Sequence, residues 1–467
     1  MLGKQRHKCF IAFLVVLISA GALRGQDTAG DELTPTERLY GLSLIWKEAD
    51  YNFPRFQDLP ALDWDSAYQA YIPKVLTAET TVDHYRLLIR FTALLRDGHT
   101  QVTMPSSVFE QHVFDQPHLR LEAVKGRAIV WAAADSLTSQ IPLGSEVVAV
   151  DGTPTTEFLH TNVYPYMSGT SPRFRRSLGV NGWYVNGIGL LWGRAGSEVA
   201  VTIRTPDGEE RTVPLTRSSS SVRASWAQLD RSRSSGSFEF RWIDDAYAYV
   251  ALNTFADAAQ VARFDSIASE LRSANGVIID LRQNGGGGDD VAKPIIARHL
   301  TSDTLEGSRS RTRVNDAARR AWGRYADQEW AREYAPYYTG EAFRELGRNA
   351  VVPDTSVAKI DVPVVVLIGR NTGSAAEDFL VWLDGLDAVT LVGEPTTGST
   401  GMPLSLDLPG GASARILTKH DTYPDGREFL GVGVQPDIFV EPTVEDLIAG
   451  RDGMLMRALE VLRDRVQ

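Results

Sequence analysis

The chain has 467 residues, 43% of them hydrophobic and 23% charged, with a formal net charge of −11. That composition excludes a disordered chain and allows two or three folded domains. The acidic balance excludes nucleic acid as the main partner.

Residues 1–25 read as a signal peptide: Lys4, Arg6 and Lys8 form a basic start, and 10–22 is an apolar stretch too short for a membrane span. Ala20, Gly21, Ala22 and Gly25 offer cleavage sites. Removal takes four basic residues and no acids, so the charge goes from −11 to −15, and it also takes Cys9, the single cysteine. The mature chain then has no disulfide and no cysteine metal site. A periplasmic or secreted protein, with no stable membrane insertion after cleavage, is expected.

Residues 33–111 read as a helical N-terminal domain. Thr34-Pro35-Thr36-Glu37 opens a helix, and further helices are predicted over 64–77 and 82–95. The third runs into Asp97-Gly98-His99-Thr100 and a strand over 100–104. Residues 112–217 form a β-rich module, with strands at 127–133 and around 145–150, and a hairpin of 198–204 with 210–215. Its 153–196 part is an insertion carrying Tyr164, Tyr166, Trp183, Tyr184 and Trp192. Residues 218–236, rich in serine, read as a linker.

Residues 237–442 alternate buried strands with helices, as an α/β core with largely parallel strands does. Strands are expected over 246–252, 276–281, 362–368 and 388–392, with helices over 259–273, 289–300 and 375–386. Residues 301–350 make a polar, aromatic excursion, a candidate lid or strap. Residues 443–467 close the chain as a helical segment.

Two strand–glycine–helix units carry the chemistry. Gly285, Gly286, Gly287 and Gly288 let backbone amides approach a ligand. Ser374 follows Gly373 where a buried strand turns into a helix, and free amides at a helix start favour negative charge. A hydrolase needs that field where its oxyanion forms. Ser374-Ala375-Ala376-Glu377 is also a capping box, in which serine only caps the helix. Neither GxxxxGK[ST] nor GxGxxG is present, which favours an oxyanion hole over a phosphate loop.

Four motifs in order, Asp97-Gly98-His99-Thr100, Asp280-Leu281-Arg282-Gln283-Asn284-Gly285-Gly286-Gly287, Gly373-Ser374-Ala375-Ala376-Glu377 and Gly431-Val432-Gly433-Val434-Gln435-Pro436-Asp437, resemble the tail-specific (carboxyl-terminal processing) serine peptidases and their tricorn-core and interphotoreceptor retinoid-binding relatives. The resemblance implies a multidomain α/β protein: a helical N-terminal domain, a PDZ-like module and a crotonase-like ββα peptidase core. It implies Ser374 as nucleophile, with Ala375 and Gly286 or Gly287 as the oxyanion hole.

Where many members carry a lysine base, this chain has Ser399, so the histidine of the tricorn-like branch is taken over at His99. That branch also has a serine before the histidine, here Gly98, and a late glutamate. Glu428 is taken as the acid orienting His99, with Asp421 as alternative acid and His420 as rival base. The PDZ-like module implies recognition of a peptide or protein substrate by strand addition, with 141–144 as a carboxylate loop. No metal or organic cofactor is implied. The alternatives are a ligand- or peptide-binding protein on the same fold and a hydrolase of another ester or amide.

Overall fold

A computed structural model describes residues 32–466, apart from 113, 170, 183–185, 219–223, 231–235, 315–316 and 340–342. The signal peptide, Trp183, Tyr184 and part of the serine-rich segment lie outside the described residues.

Helix Pro35–Asn52 starts as its capping box requires: Thr34 and Glu37 exchange backbone and side-chain hydrogen bonds. It packs with Trp64–Leu76 and Thr81–Ala93. Trp64 stacks on Phe91 between them, centroids 4.3 Å apart. After a turn at 97–100, strand Gln101–Thr103 pairs antiparallel with Ser413–Ile416, more than 300 residues away. The N-terminal helices, the β-rich module and the 408–417 segment therefore share one hydrophobic core.

In the β-rich module, Glu146–Val150 joins Arg127–Ala134 to the Glu198–Arg204/Glu210–Thr216 hairpin, in line with the expected strands. The 153–196 insertion is largely helical, with helix Pro172–Asn181 capped by Ser171. The linker reading needs correction. Strand Trp226–Gln228 pairs with Arg127–Ala134, so this stretch folds back onto the module. The Trp226 ring provides the reason, lying 4.8 Å from the Arg120 guanidinium.

The core sheet has six strands, in the order Phe238–Ile243, Tyr247–Leu252, Gly276–Asp280, Val364–Ile368, Val389–Gly393 and Ile438–Phe439; only the first pair is antiparallel. Alternate residues serve opposite faces. Val250, Ile279 and Val366 meet Phe264, Ile295 and Phe379 on one side; Tyr249, Ile278 and Val365 meet Ala458 and Leu462 of helix Gly453–Val466 on the other. Two-sided burial explains the unbroken apolar runs.

Several predicted helices are divided. The 259–273 helix is Ala259–Ser266 and Ala268–Ser273, and the 289–300 helix widens after Ile295. The closing segment is Val444–Ile448 and Gly453–Val466. The 301–350 excursion is anchored by Arg309–Arg313, which pairs with both Phe343–Arg348 and His420–Thr422. Its short helices leave Trp322, Trp330 and Tyr338 exposed.

Candidate active site

Ser374 sits at the end of the turn that follows strand Val364–Ile368 and caps helix Ala375–Leu383. Its φ of 56° and ψ of −129° are strained for a residue with a side chain. Backbone bonds on both sides hold it there. The Gly373 amide donates to the Asn284 carbonyl, and the Ser374 amide to the Ser399 carbonyl, each at 3.0 Å. Beside it, the Thr397 amide donates to the Thr372 carbonyl at 2.9 Å, so 397–399 runs alongside 372–374.

Glu377 is fully buried and organises that neighbour. It accepts from the Thr396 and Thr397 hydroxyls and from the amides of Gly398 (2.7 Å), Ser399 (3.0 Å) and Ser374 (3.2 Å). Burial pushes its carboxyl up and these donors pull it down. Burial is the larger effect and leaves the carboxyl above its usual range, while the five partners hold both oxygens in place. The Ser-x-x-Glu pattern is thus more than a helix cap, because its glutamate grips a loop 20 residues downstream.

The glycine loop meets Ser374 from the next strand. Gly286, at φ 101°, is so close that a Cβ would lie 2.5 Å from Ser374 Cβ. Its amide, however, donates to Asn284 Oδ1 at 2.9 Å. That takes Gly286 out of the expected oxyanion pair. The amides of Gly287 and Ala375 have no acceptor among the described residues and remain for that task. Asn284, fully buried, sets this division by also donating to the Leu252 carbonyl at 2.8 Å; the sequence reading assigned it no role.

His99 arrives from the helical domain. Buried Asp97 accepts from the His99 amide (2.9 Å) and the Thr100 hydroxyl (3.1 Å), and that hydroxyl accepts from the Leu417 amide (3.0 Å). The imidazole Nδ1 lies 2.6 Å from Ser399 Oγ. Nε2 has no partner among the described residues and is not sealed from solvent. His99 and the Ser374 hydroxyl share no hydrogen bond. Burial holds the His99 pKa down at about 4, with repulsion from Arg415 and Lys419 adding to it and Asp421 opposing.

Glu428 does not orient His99. A turn at 423–427 folds it back against His420–Thr422, where it accepts from His420 Nε2 at 2.8 Å. His420 is no free base either: Arg311 donates to its Nδ1 at 3.0 Å, and the ring is 1% exposed. Asp421 accepts from Ser310 and Thr400 and pairs with Lys419 at 2.9 Å, so it reaches His99 through its charge alone.

The remaining motif residues are structural. Asp280 accepts from Tyr249 (2.7 Å) and from Arg282, which also grips Asp452. Asp437 accepts from the Leu391 amide at 2.7 Å. Gly431 donates to the Gly398 carbonyl at 2.8 Å, which ties the last motif to the loop that Glu377 holds. The 141–144 turn is packed rather than open: the Gly144 amide donates to the Val130 carbonyl, and Ile448 lies against it. An open groove of about 660 Å³ is lined by Lys125, Ser171, Arg173, Thr396 and Val432.

Residues 246–440 match the model of peptidase family S41. The chain carries a peptidase family S41 domain. Such a domain is that of a serine-type peptidase, a hydrolase. A carboxyl-terminal-processing protease of Picosynechococcus sp. is 24% identical over 268 residues, covering 56% of this chain and 54% of that protein. The chloroplastic C-terminal processing peptidase of Tetradesmus obliquus is 24% identical over 280 residues, 57% and 52% of the two chains. The chain spans about half the length of the curated relatives it matches. The structure of mature CPAF complexed with lactacystin superposes with a TM-score of 0.68 at 16% identity, over 92% of this chain and 98% of that one. At that identity the likeness concerns the fold, which extends beyond the S41 domain to nearly the whole chain.

Proposed function

We propose that the protein is an exported serine endopeptidase acting on unfolded or C-terminal peptide segments through an acyl-enzyme. The observation that carries this reading is Ser374, held at a strained helix start beside the unused amides of Gly287 and Ala375. In this mechanism His99 accepts the Ser374 proton as the Ser374 oxygen bonds to the substrate carbonyl carbon. The carbonyl electron pair moves to oxygen, which the two amides receive. Collapse expels the amine, which takes the proton from His99, and water then repeats the sequence to free Ser374.

The core is read as crotonase-like and the 112–217 module as PDZ-like, presenting an extended chain along the groove that Lys125, Arg173 and Thr396 line. No helix among the described residues is long and apolar enough to cross a membrane. Export rests on the sequence of residues 1–25.

The missing bond between Ser374 and His99 favours a second reading, a latent enzyme or a binding protein on this fold. Catalytic hydrogen bonds are often long in ligand-free sites and tighten on substrate binding. Labelling with a fluorophosphonate, mapped by mass spectrometry, separates the two. Modification at Ser374, lost in Ser374→Ala and reduced in His99→Ala, is expected. A folded protein that takes no label at pH 7–8 overturns the peptidase reading in favour of binding.

A further inference from the structure

We propose that the Ser399 hydroxyl is the positioning group of His99: it accepts the imidazole Nδ1 proton, fixes the ring and leaves the Nε2 lone pair as the base. This rests on the reading of His99 as general base.

Three observations converge on Ser399. Its Oγ lies 2.6 Å from His99 Nδ1, although the residues are 300 apart in the chain. Its backbone is locked to the nucleophile, its carbonyl taking the Ser374 amide and its amide going to Glu377, so the hydroxyl has a set place relative to Ser374. Finally, Gly98 makes the room: a Cβ there would lie 2.8 Å from Ser399 Oγ and 3.3 Å from Ser399 Cβ. The glycine before the histidine and the serine across the fold are a matched pair. Ser399 is 5% exposed, so water does not compete freely for its hydroxyl.

The acids do not fill this place. Glu428 is on His420, Glu377 faces its own five donors, and Asp97 holds the His99 backbone. The charged groups acting on the ring are Arg415, Lys419 and Asp421, and among the described residues none hydrogen-bonds it. A base nitrogen must be unprotonated to accept from serine, so in a neutral ring the proton belongs on the other nitrogen. With Nδ1 facing Ser399 and Nε2 open, Nδ1–H donates and Oγ accepts. During attack the Ser374 proton goes to Nε2 and later leaves with the amine. Ser399 neither gains nor loses a proton. A neutral hydroxyl orients the imidazolium without the charge stabilisation a carboxylate brings, which suits a base that stays neutral in acid.

The test uses the full mature chain, a fluorophosphonate as probe, and 15N-histidine NMR. Nδ1–H is expected as the His99 tautomer in wild type at pH 7, assigned by its loss in His99→Ala; Nε2–H as the major form overturns the proposal. Ser399→Ala should slow labelling of Ser374 by roughly 10- to 100-fold while the protein stays folded. Gly98→Ser alone should slow it too, because the two side chains overlap. The double variant Gly98→Ser with Ser399→Gly should regain at least tenfold over Ser399→Ala, by returning a hydroxyl from the histidine turn. Wild-type labelling rates in Ser399→Ala, or a folded double variant no faster than Ser399→Ala, overturn the proposal. If wild type takes no label, the peptidase reading fails by itself, and the tautomer then decides the Ser399 assignment.

Discussion

At the scale of residues, the site depends on who holds whom. His99, with a pKa of about 4, is neutral and able to accept a proton well below pH 6.5. Below its pKa the imidazolium cannot take the Ser374 proton, so the acid limb of Ser374 labelling should have its midpoint near pH 4. Arg415→Gln removes a repelling cation and favours the imidazolium; the limb should move to higher pH, read from labelling rates across pH 3–8. Glu377→Ala leaves five donors without their carboxylate. It should cost about 3 kcal/mol or more in urea unfolding and abolish labelling, since Ser374 and Ser399 lose the same anchor. The pairing of Ser399 with His99 was not legible from spacing, because a 300-residue separation has no local signature. Ser374 was legible, because a buried strand, a glycine and a helix occur within 16 residues.

At the scale of elements, the strand Gln101–Thr103 is what delivers His99. Its ladder with Ser413–Ile416 and the Thr100–Leu417 bond fasten the helical domain to the segment that carries Arg415 and Lys419. Thr100→Val deletes a fully buried hydroxyl that bridges Asp97 and Leu417. About 1–3 kcal/mol of stability should be lost, with labelling slowed at least roughly tenfold because the histidine turn loosens. A variant that loses stability but labels at the wild-type rate refutes this role. The order of helices and buried strands was readable from periodicity. Their interruptions were not read: the first helix divides after Ser266, and the second widens after Ile295, next to Pro294. Glu428 was also misplaced. Strand geometry says which residues share a face, but the turn at 423–427 decides which strand that face meets.

At the scale of the whole molecule, the β-rich module is bolted to the turn before Ser374 through Arg370. This buried guanidinium, four residues before Ser374, bonds the Ala123 carbonyl and Glu122 of the module. Removing one partner of a buried ion pair costs about 3–5 kcal/mol. Arg370→Ala should therefore lower stability by that order in urea unfolding followed by tryptophan fluorescence. It should also slow Ser374 labelling, because the turn 369–373 loses its outer support. Unchanged labelling in a destabilised variant would confine Arg370 to holding the modules together.

By itself the sequence determined the core strands and the strand–glycine–helix turn at Ser374, because apolar periodicity and glycine punctuation are local properties of the chain. Four short motifs in order also pointed to the family. Only the tertiary structure decided the partners: Ser399 rather than Glu428 on His99, Asn284 on Gly286, the Gly287 and Ala375 amides without an acceptor among the described residues, and residues 226–228 folded back as a strand. Each of those choices depends on hydrogen-bond donors and acceptors brought together by packing, and a buried polar group takes the partner that the fold places within reach.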